Sequence, residues 1–584
     1  MAASYFIHIG NGSRHPLEES SIAARLRALG MRALCMMGDG ALYASEAPSV
    51  LKFVNGDVLI GELFFHDGSP VSDTANLAAP SSQTVREFVL TQCWGDYVLL
   101  QSVPGDSHAF AIMRSPSPAC DLQCIYSLEE GEGFITSDIT LATRLGLYER
   151  RVDPEGIVRH LAYPNIRSSN TALRHILELA PGSALHVTPD RQHVTRIWSP
   201  WDFVSSEQRF THFDDAARAV RRSVEMVVHA QAGRHRRVLL ELSGGLDSSI
   251  VAAALAETQT EVTCQSVTTP VPGANELDYA RAVTGFLGFG LFTNELGFDD
   301  ADVPYAVPNQ FCSPSLGILQ SAVDCVMHRA ADIHDSEAHF SGGGGDSVFC
   351  YLSTASPASD ALRCAGLRQG LRSVRDLAEF HQCTYWKAGT LAVRRLAPGR
   401  PAPAPDDRFL AKDAGISAPP LHPWCEPPAK ALVGDHERIA DLAAAQQFRE
   451  GCVRGLARPF RMPLLAQPVI ETCLRVPSWM WFQDGQNRAV ARHAFSDRLP
   501  GSVINRRSKG TFTAYLGAFY RRRRRELLQF LLEGELQAAG ILDADALRSF
   551  SNAAVPADEA SFMRVLQLCA VENWVRQQSC VGPR

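Results

Sequence analysis

From the N-terminus to about Trp201 the apolar residues fall in short runs between turn residues: SYFIHIG, DVLIGELFFHDG, GDYVLLQSV, HAFAIMRS, QCIYSLEE and GEGFITSDI. Runs of this length, rich in β-branched and aromatic residues, predict strands and a sheet-rich first half. The period then changes. In FDDAARAVRRSVEMVVHAQ, Ala217, Val220, Val224, Val227 and Val228 recur at helical spacing, and Asp214 and Asp215 favour the helix start. From Arg237 the order is a compact apolar run (VLLEL), a glycine loop (SGGLDSS) and a helix (SIVAAALAETQ). A second strand (EVTCQSVTT) and a second helix (ELDYARAVTGFLG) follow, with Leu277, Ala280, Val283 and Leu287 on one side. This alternation predicts a parallel sheet covered by helices, a doubly wound α/β domain. Across residues 353–430 the pattern weakens, and RRLAPGRPAPAPDD reads as an exposed proline-rich loop. The rest of the chain reads as mainly helical, without an internal repeat.

With 584 residues and 46% hydrophobic residues, the chain exceeds what one core usually organises, so two domains are expected, 1–205 and 206–584. The fold class is then α+β followed by α/β. The formal charge of −7 is dispersed, which gives no footprint for a nucleic-acid partner. The 15 cysteines include no Cys-x-x-Cys pair, so neither a disulfide framework nor a zinc ribbon is indicated. No cleavable signal and no bilayer-length apolar run is present, so there is no membrane insertion and a cytoplasmic location is expected.

The chemistry concentrates in Ser243, Gly244, Gly245, Leu246, Asp247, Ser248 and Ser249. A glycine loop that follows a strand and opens a helix directs backbone N–H groups and the positive end of a helix dipole to one point, which suits phosphate. A Walker loop would place a lysine before its Ser or Thr. Asp247 stands there instead, which points to Mg²⁺ as the charge partner of the phosphates. A second loop, AHFSGGGGDSVFCYL, ends on Asp346 and offers a second carboxylate to the same ion. Taken singly, the first loop also fits a plain strand-to-helix turn and the second a flexible hinge.

Ser243 to Ser249 resembles the pyrophosphate loop of the ATP-pyrophosphatase family, whose members cut ATP between the α and β phosphates. The order of parts is similar to the asparagine synthetases: an amidotransferase-like (Ntn-type) β-rich sandwich, TALRHILELAPGSALHV leading to WSPWDF, the loop, then PLLAQPVIETCLRVP. Asparagine synthetases carry a glutaminase cysteine at position 2. Ala2 stands there in this chain, so the resemblance implies a first domain that has lost that chemistry, and an amine supplied by the substrate or as free ammonia. SGGGGDSVF, HPWCEPPAK with HERIADLAAAQQF, and RRSKGTF are similar to segments of the lasso peptide cyclases, AMP-forming amide ligases that make a macrolactam (isopeptide) bond in RiPP biosynthesis. Gly343, where asparagine synthetases have an acidic residue, separates the chain from that activity.

The resemblance implies ATP and Mg²⁺ as cofactors, with Asp247 and Asp346 on the metal and Ser243, Gly244, Gly245, Ser248 and Ser249 on the pyrophosphate. It further implies Leu240, Val267, Ser341 and Gly342 beside the nucleoside, Arg488 on a phosphate, and Lys509 facing the adenylated carbonyl. Tyr351 and Glu379 are candidates for the pair that deprotonates the amine. The partners implied are a precursor (core) peptide, a leader-peptide recognition protein and a leader peptidase. Alternatives are a small-molecule cyclase of the β-lactam synthetase kind, an ammonia-dependent asparagine synthetase, or a non-catalytic nucleotide- or peptide-binding adaptor. Some residues read two ways. Glu276 and Asp278 either complement a helix dipole or touch metal or substrate. His422 and Trp424 are either core or substrate cavity. Arg521 to Arg525 form either a solvated helix face or a docking site for peptide or leader.

Overall fold

The computed structural model describes residues 4–10, 21–46, 49–72, 74, 81–271, 276–315, 317–396, 403–507, 510, 512–552 and 559–579. The first half builds two antiparallel sheets. Their strands are β1 (Tyr5–Ile9), β2 (Arg32–Met37), β3 (Gly40–Ala44), β4 (Val50–Lys52), β5 (Val58–Phe65), β6 (Cys93–Val103), β7 (Asp106–Arg114), β8 (Ile125–Glu129), β9 (Glu132–Thr136), β10 (Leu177–Glu178), β11 (Ser183–Val187) and β12 (Gln192–Arg196). One sheet runs β10-β8-β9-β1-β3-β2 and the other β12-β11-β7-β6-β5-β4.

Strand alternation decides what each face meets. Tyr5, Ile7 and Ile9 turn inward against Ile60, Val98, Leu100 and Ile112 of the other sheet. Phe6, Tyr43 and Phe134 turn outward and are covered by Ala23 and Leu26 of the helix Ser21–Ala28. On the far side Leu59, Tyr97 and Leu99 meet Val85 and Val89 of the helix Ser82–Thr91. Strands covered on both faces have no polar side to show, which is why YFI of β1 and YVLL of β6 are unbroken apolar runs.

The second half contains a parallel sheet of β13 (Arg237–Glu241), β14 (Glu261–Thr268), β15 (Gly290–Glu295), β16 (Ala338–Ser341) and β17 (Phe460–Arg461), ordered β15-β14-β13-β16-β17. Val238 and Leu240 face the helices α1 (Phe213–Ala232) and α2 (Leu246–Leu255). The helix α3 (Leu277–Leu287) follows β14. Leu239 faces the opposite layer, with Met327 and Ala330 of α4 (Ile318–Ile333). The sheet is therefore doubly wound, as its sequence pattern predicts. In α1, Ala217, Val220, Val224, Val227 and Val228 are all buried; each valine contributes about 1.5–3 kcal/mol by leaving water.

Where the sequence pattern is weak, three helices form instead: α5 (Ser356–Cys364), α6 (Gly366–Phe380) and α7 (Tyr385–Arg394). Part of the proline-rich stretch, 397–402, lies outside the described residues. No described cysteine is in a disulfide, and no described helix is long and apolar enough to cross a membrane.

The two halves meet through tryptophans. Trp201 Nε1 donates to the Trp424 carbonyl at 2.7 Å, Trp424 Nε1 donates to the Pro181 carbonyl at 3.1 Å, and the Trp198 and Trp424 rings lie 5.2 Å apart. His422 and Trp424 are thus core residues, and burial, then Arg167 and Arg114, hold the His422 imidazole down to about 3. Buried ion pairs cross the same boundary: Arg461 of β17 reaches Glu62 of β5 at 2.6 Å, and Arg449 reaches Asp121 at 2.6 Å.

Asp360 of α5 ties its helix to the domain by accepting from the Gly434 N–H at 3.1 Å and the Ser478 hydroxyl at 2.6 Å. Burial and the facing Asp435 push its carboxyl up to about 7. The unfolded chain releases this proton near pH 4, so between about pH 4 and 7 the folded state binds more protons than the unfolded one, and stability falls as pH rises through that window. Asp360→Asn should flatten this fall, read as a smaller change in the urea midpoint across the same pH range; identical pH profiles would exclude Asp360 as its source.

Candidate active site

The carboxyl ends of β13 and β16 lie side by side, with Glu241 opposite Ser341 in register. The strand order reverses between them, which is where an open α/β sheet leaves its ligand crevice. Both glycine loops leave the sheet at this point. They are in direct contact: a Cβ on Gly342 would lie 2.4 Å from the Ser248 nitrogen, and one on Gly345 would lie 2.4 Å from Asp247 Cγ. These two glycines thus serve the contact between the loops.

The first loop is shaped by its own side chains. Gly245 N–H donates to Ser243 Oγ at 3.2 Å, the Ser243 and Ser248 hydroxyls share a hydrogen bond of 3.1 Å, and Ser249 Oγ donates to the Gly245 carbonyl at 2.7 Å. Gly245 caps α2 without a side-chain bond, so the first-turn N–H groups lie outside the intrahelical ladder, at the positive end of the dipole. A cavity of about 260 Å³ opens in front of them.

Its walls include Ser243, Gly245, Asp247, Ser248, Ser341, Gly342, Asp346 and Arg488 from the sequence-derived set. Arg488 Nη1 lies 3.0 Å from both carboxylate oxygens of Asp247 and 2.9 Å from Asp346 Oδ1. Arg488 holds φ at +53°, a conformation that a non-glycine residue keeps only where its surroundings impose it, and its guanidinium lies 5.2 Å from the centre of the Tyr351 ring. Two carboxylates converging on one nitrogen are disposed to face one cation. Among the described residues no group of three or more acidic, histidine or cysteine side chains is arranged to hold a metal ion, so a metal here would rest on two carboxylates, phosphate oxygens and water, the usual environment of Mg²⁺.

The remaining members of the set lie elsewhere. Leu240 is wholly buried inside β13, Ser249 is buried behind the loop, Gly244 turns at a φ of +81° against the Ala280 backbone of α3, and Val267 sits on β14 beside Asn294 of β15; none of these four lines the cavity. Tyr351 stands behind Arg488. Glu379, on α6, pairs with Arg375 at 3.7 Å and lies against Gly485 of the loop that precedes Arg488. Lys509 and Ala2 lie outside the described residues. Arg506 and the Gly510 N–H both bond to Glu276 Oε1, at 2.5 and 2.7 Å. Glu276 therefore faces the cavity and holds both Arg506 and Gly510, whereas Asp278 is exposed beside Arg281.

Two cationic wall residues escape sequence reasoning, Arg492 and Arg506. Burial, then Arg488 and Arg506, press the Arg492 guanidinium down to about 10, so the cavity holds cationic charge that an anionic ligand would relieve. The spacing of Arg488 and Arg492 by one helical turn, on α8 (Ala489–Ala494) and its cap, was the available signal.

A glycine-lined anion cradle at the switch point of a doubly wound sheet, with two carboxylates in its wall, defines a nucleotide-phosphate-binding enzyme. Residues 219–576 match the asparagine synthase family model, and the chain belongs to that family. It is an ATP-dependent carbon–nitrogen ligase. Comparison with curated proteins finds no match. Among solved structures, the glutamine phosphoribosylpyrophosphate amidotransferase from B. subtilis complexed with ADP and GMP is 9% identical, with a TM-score of 0.21 over 50% of this chain and 81% of that one. A structure described as the allosteric regulatory enzyme of purine biosynthesis is 10% identical, with a TM-score of 0.20 over 50% of this chain and 74% of that one.

Gly342→Ala tests the loop contact. The added methyl must push Ser248 and the α2 terminus away from the second loop, so ATP affinity measured by calorimetry should fall roughly tenfold or more while the circular dichroism spectrum is kept. Unchanged affinity would show that the cradle does not depend on the contact.

Proposed function

We propose that the chain is a lasso peptide macrocyclase: it activates an Asp or Glu side chain of a peptide as the acyl-adenylate and closes a macrolactam with the peptide's N-terminal amine. The observation that carries the activation half is the convergence of Asp247 and Asp346 on Arg488 Nη1 beside the α2 terminus. The cyclase half is supported by the segments SGGGGDSVF, HPWCEPPAK and RRSKGTF.

In this reading the pyrophosphate portion of ATP lies against the α2 terminus, Ser243, Gly245 and Ser248, within reach of Arg492 and Arg506. Mg²⁺ held by Asp247 and Asp346 would neutralise phosphate charge; Arg488, no longer needed as their counter-ion, would pair with phosphate. The substrate carboxylate oxygen bonds to the α-phosphorus as the bond to pyrophosphate breaks. The amine nitrogen then bonds to the acyl carbon, AMP leaves, and the amine gives up a proton. The resemblance of RRSKGTF assigns to Lys509 the cation that would stabilise the negative charge developing on the carbonyl. Orientation of amine and adenylate supplies much of the rate, since effective molarities reach about 10⁵–10⁸ M, and the adenylate must be kept from water.

Incubated with ATP and its precursor peptide, the enzyme should release AMP and pyrophosphate, and the peptide should lose the mass of one water without glutamine. ADP and orthophosphate would overturn the adenylation step; asparagine from aspartate and ammonia, with no peptide product, would overturn the cyclase reading. Asp247→Asn and Asp346→Asn should each abolish pyrophosphate release with the fold intact, and Lys509→Ala should lower turnover by about 10²–10³-fold.

A further inference from the structure

The layer of α5, α6 and α7 presents an apolar groove that the active site does not use. Leu367, Leu371 and Val374 of α6 form one wall, and Tyr385, Trp386 and Val393 of α7 the other, around a space of about 890 Å³. Trp386 is 85% exposed and Leu367 75%, whereas large apolar side chains of a folded surface are normally scattered singly.

Charge separates the possible occupants. Within a chain of net charge −7, residues 362–395 carry seven cationic side chains and two carboxylates. Asp376 is buried, and both it and Glu379 are engaged by Arg375, at 3.4 and 3.7 Å. Arg395 is paired with Glu437 at 2.6 Å. Arg394 lines the groove, Arg363, Arg368 and Lys387 each adjoin a lining residue in the chain, and all four are exposed and make no ion pair with any described residue. The adjoining stretch 397–402 contains one arginine and no carboxylate, so it does not supply the missing charge. A second copy would bring an equally basic face and be repelled. The surface is concave between two helices joined by a short turn, which fits an inserted helix better than a flat bilayer.

We propose that this groove docks an acidic amphipathic helix of a separate protein, its apolar face on Leu371 and Trp386 and its carboxylates on Arg363, Arg368, Lys387 and Arg394. Glu379, at the end of α6, lies against Gly485 in the loop that leads to Arg488, so the docked protein rests on the layer that abuts the active site.

The test is fluorescence anisotropy with a fluorescein-labelled amphipathic peptide of about 15 residues, Leu on one face and Glu on the other, and its Lys-for-Glu counterpart. The full-length protein should bind the Glu peptide at least roughly tenfold more tightly than the Lys peptide. Leu371→Ala with Trp386→Ala should weaken that binding roughly tenfold. Arg368→Glu with Arg394→Glu should invert the preference toward the Lys peptide, an outcome that misfolding cannot produce. Equal affinity for the two peptides, or binding indifferent to both variants, would overturn the proposal. Groove-dependent sedimentation with phosphatidylglycerol vesicles, without peptide preference, would overturn it in favour of a membrane. All of these readings are independent of whether ATP is cleaved to AMP.

Discussion

Contact between the two glycine loops is the constraint on which the active site depends. Parallel pairing sets β13 and β16 edge to edge, and the chain must leave both strands in the same small space. Only hydrogen atoms at positions 342 and 345 let the second loop lie against the Ser248 backbone and the Asp247 side chain. That proximity brings two carboxylates from segments about one hundred residues apart onto a single guanidinium nitrogen. Loops spread by one methyl group would separate the charges that the site has to bring together. Bringing them together is tolerable because Arg488 compensates both, where two unpaired carboxylates at this distance would repel.

Electrostatic balance follows from the same geometry. Asp247, Asp346 and Glu276 are each engaged by an arginine or an N–H group, and the three arginines of the wall come from the N-cap of α8, from its last turn and from the segment after the short helix Gly501–Ile504. The cavity is thus assembled from charges that already oppose one another. An incoming polyanion with its counter-ion exchanges partners within this set and does not enter a site of uniform sign.

The sequence made legible whatever is encoded locally. Continuous apolar runs marked the doubly covered strands, and the strand–glycine–helix order marked β13, α2 and the first loop. Strands β2, β4 and β12 escaped because they lie at sheet edges with much of their length uncovered, so little burial disciplines their pattern, whereas β3 is buried throughout and escaped because a glycine and two alanines among its five residues leave little apolar signal. The layer of α5 to α7 escaped because arginines interrupt its apolar positions and several of those positions face outward. Asp247 and Asp346 were visible as motif residues, but their convergence on Arg488 was not, since nothing local links positions 247, 346 and 488. Arg492 and Arg506 were hidden for the same reason. His422 and Trp424 could be read as core or cavity, and the partners that decide between these, Trp198 and Trp201, lie more than two hundred residues earlier in the chain.

Those tryptophans have a further consequence. With indoles from the connecting segment seated against Trp424, and with Arg461 and Arg449 sunk into carboxylates of the sandwich, neither half has a complete interior alone. The sandwich therefore acts as a buttress whose removal would strip water-shy surface and bare ions from the catalytic half. Heat or denaturant should then dissolve both together in one cooperative melt, and selection would keep such a buttress whether or not it performs any reaction of its own.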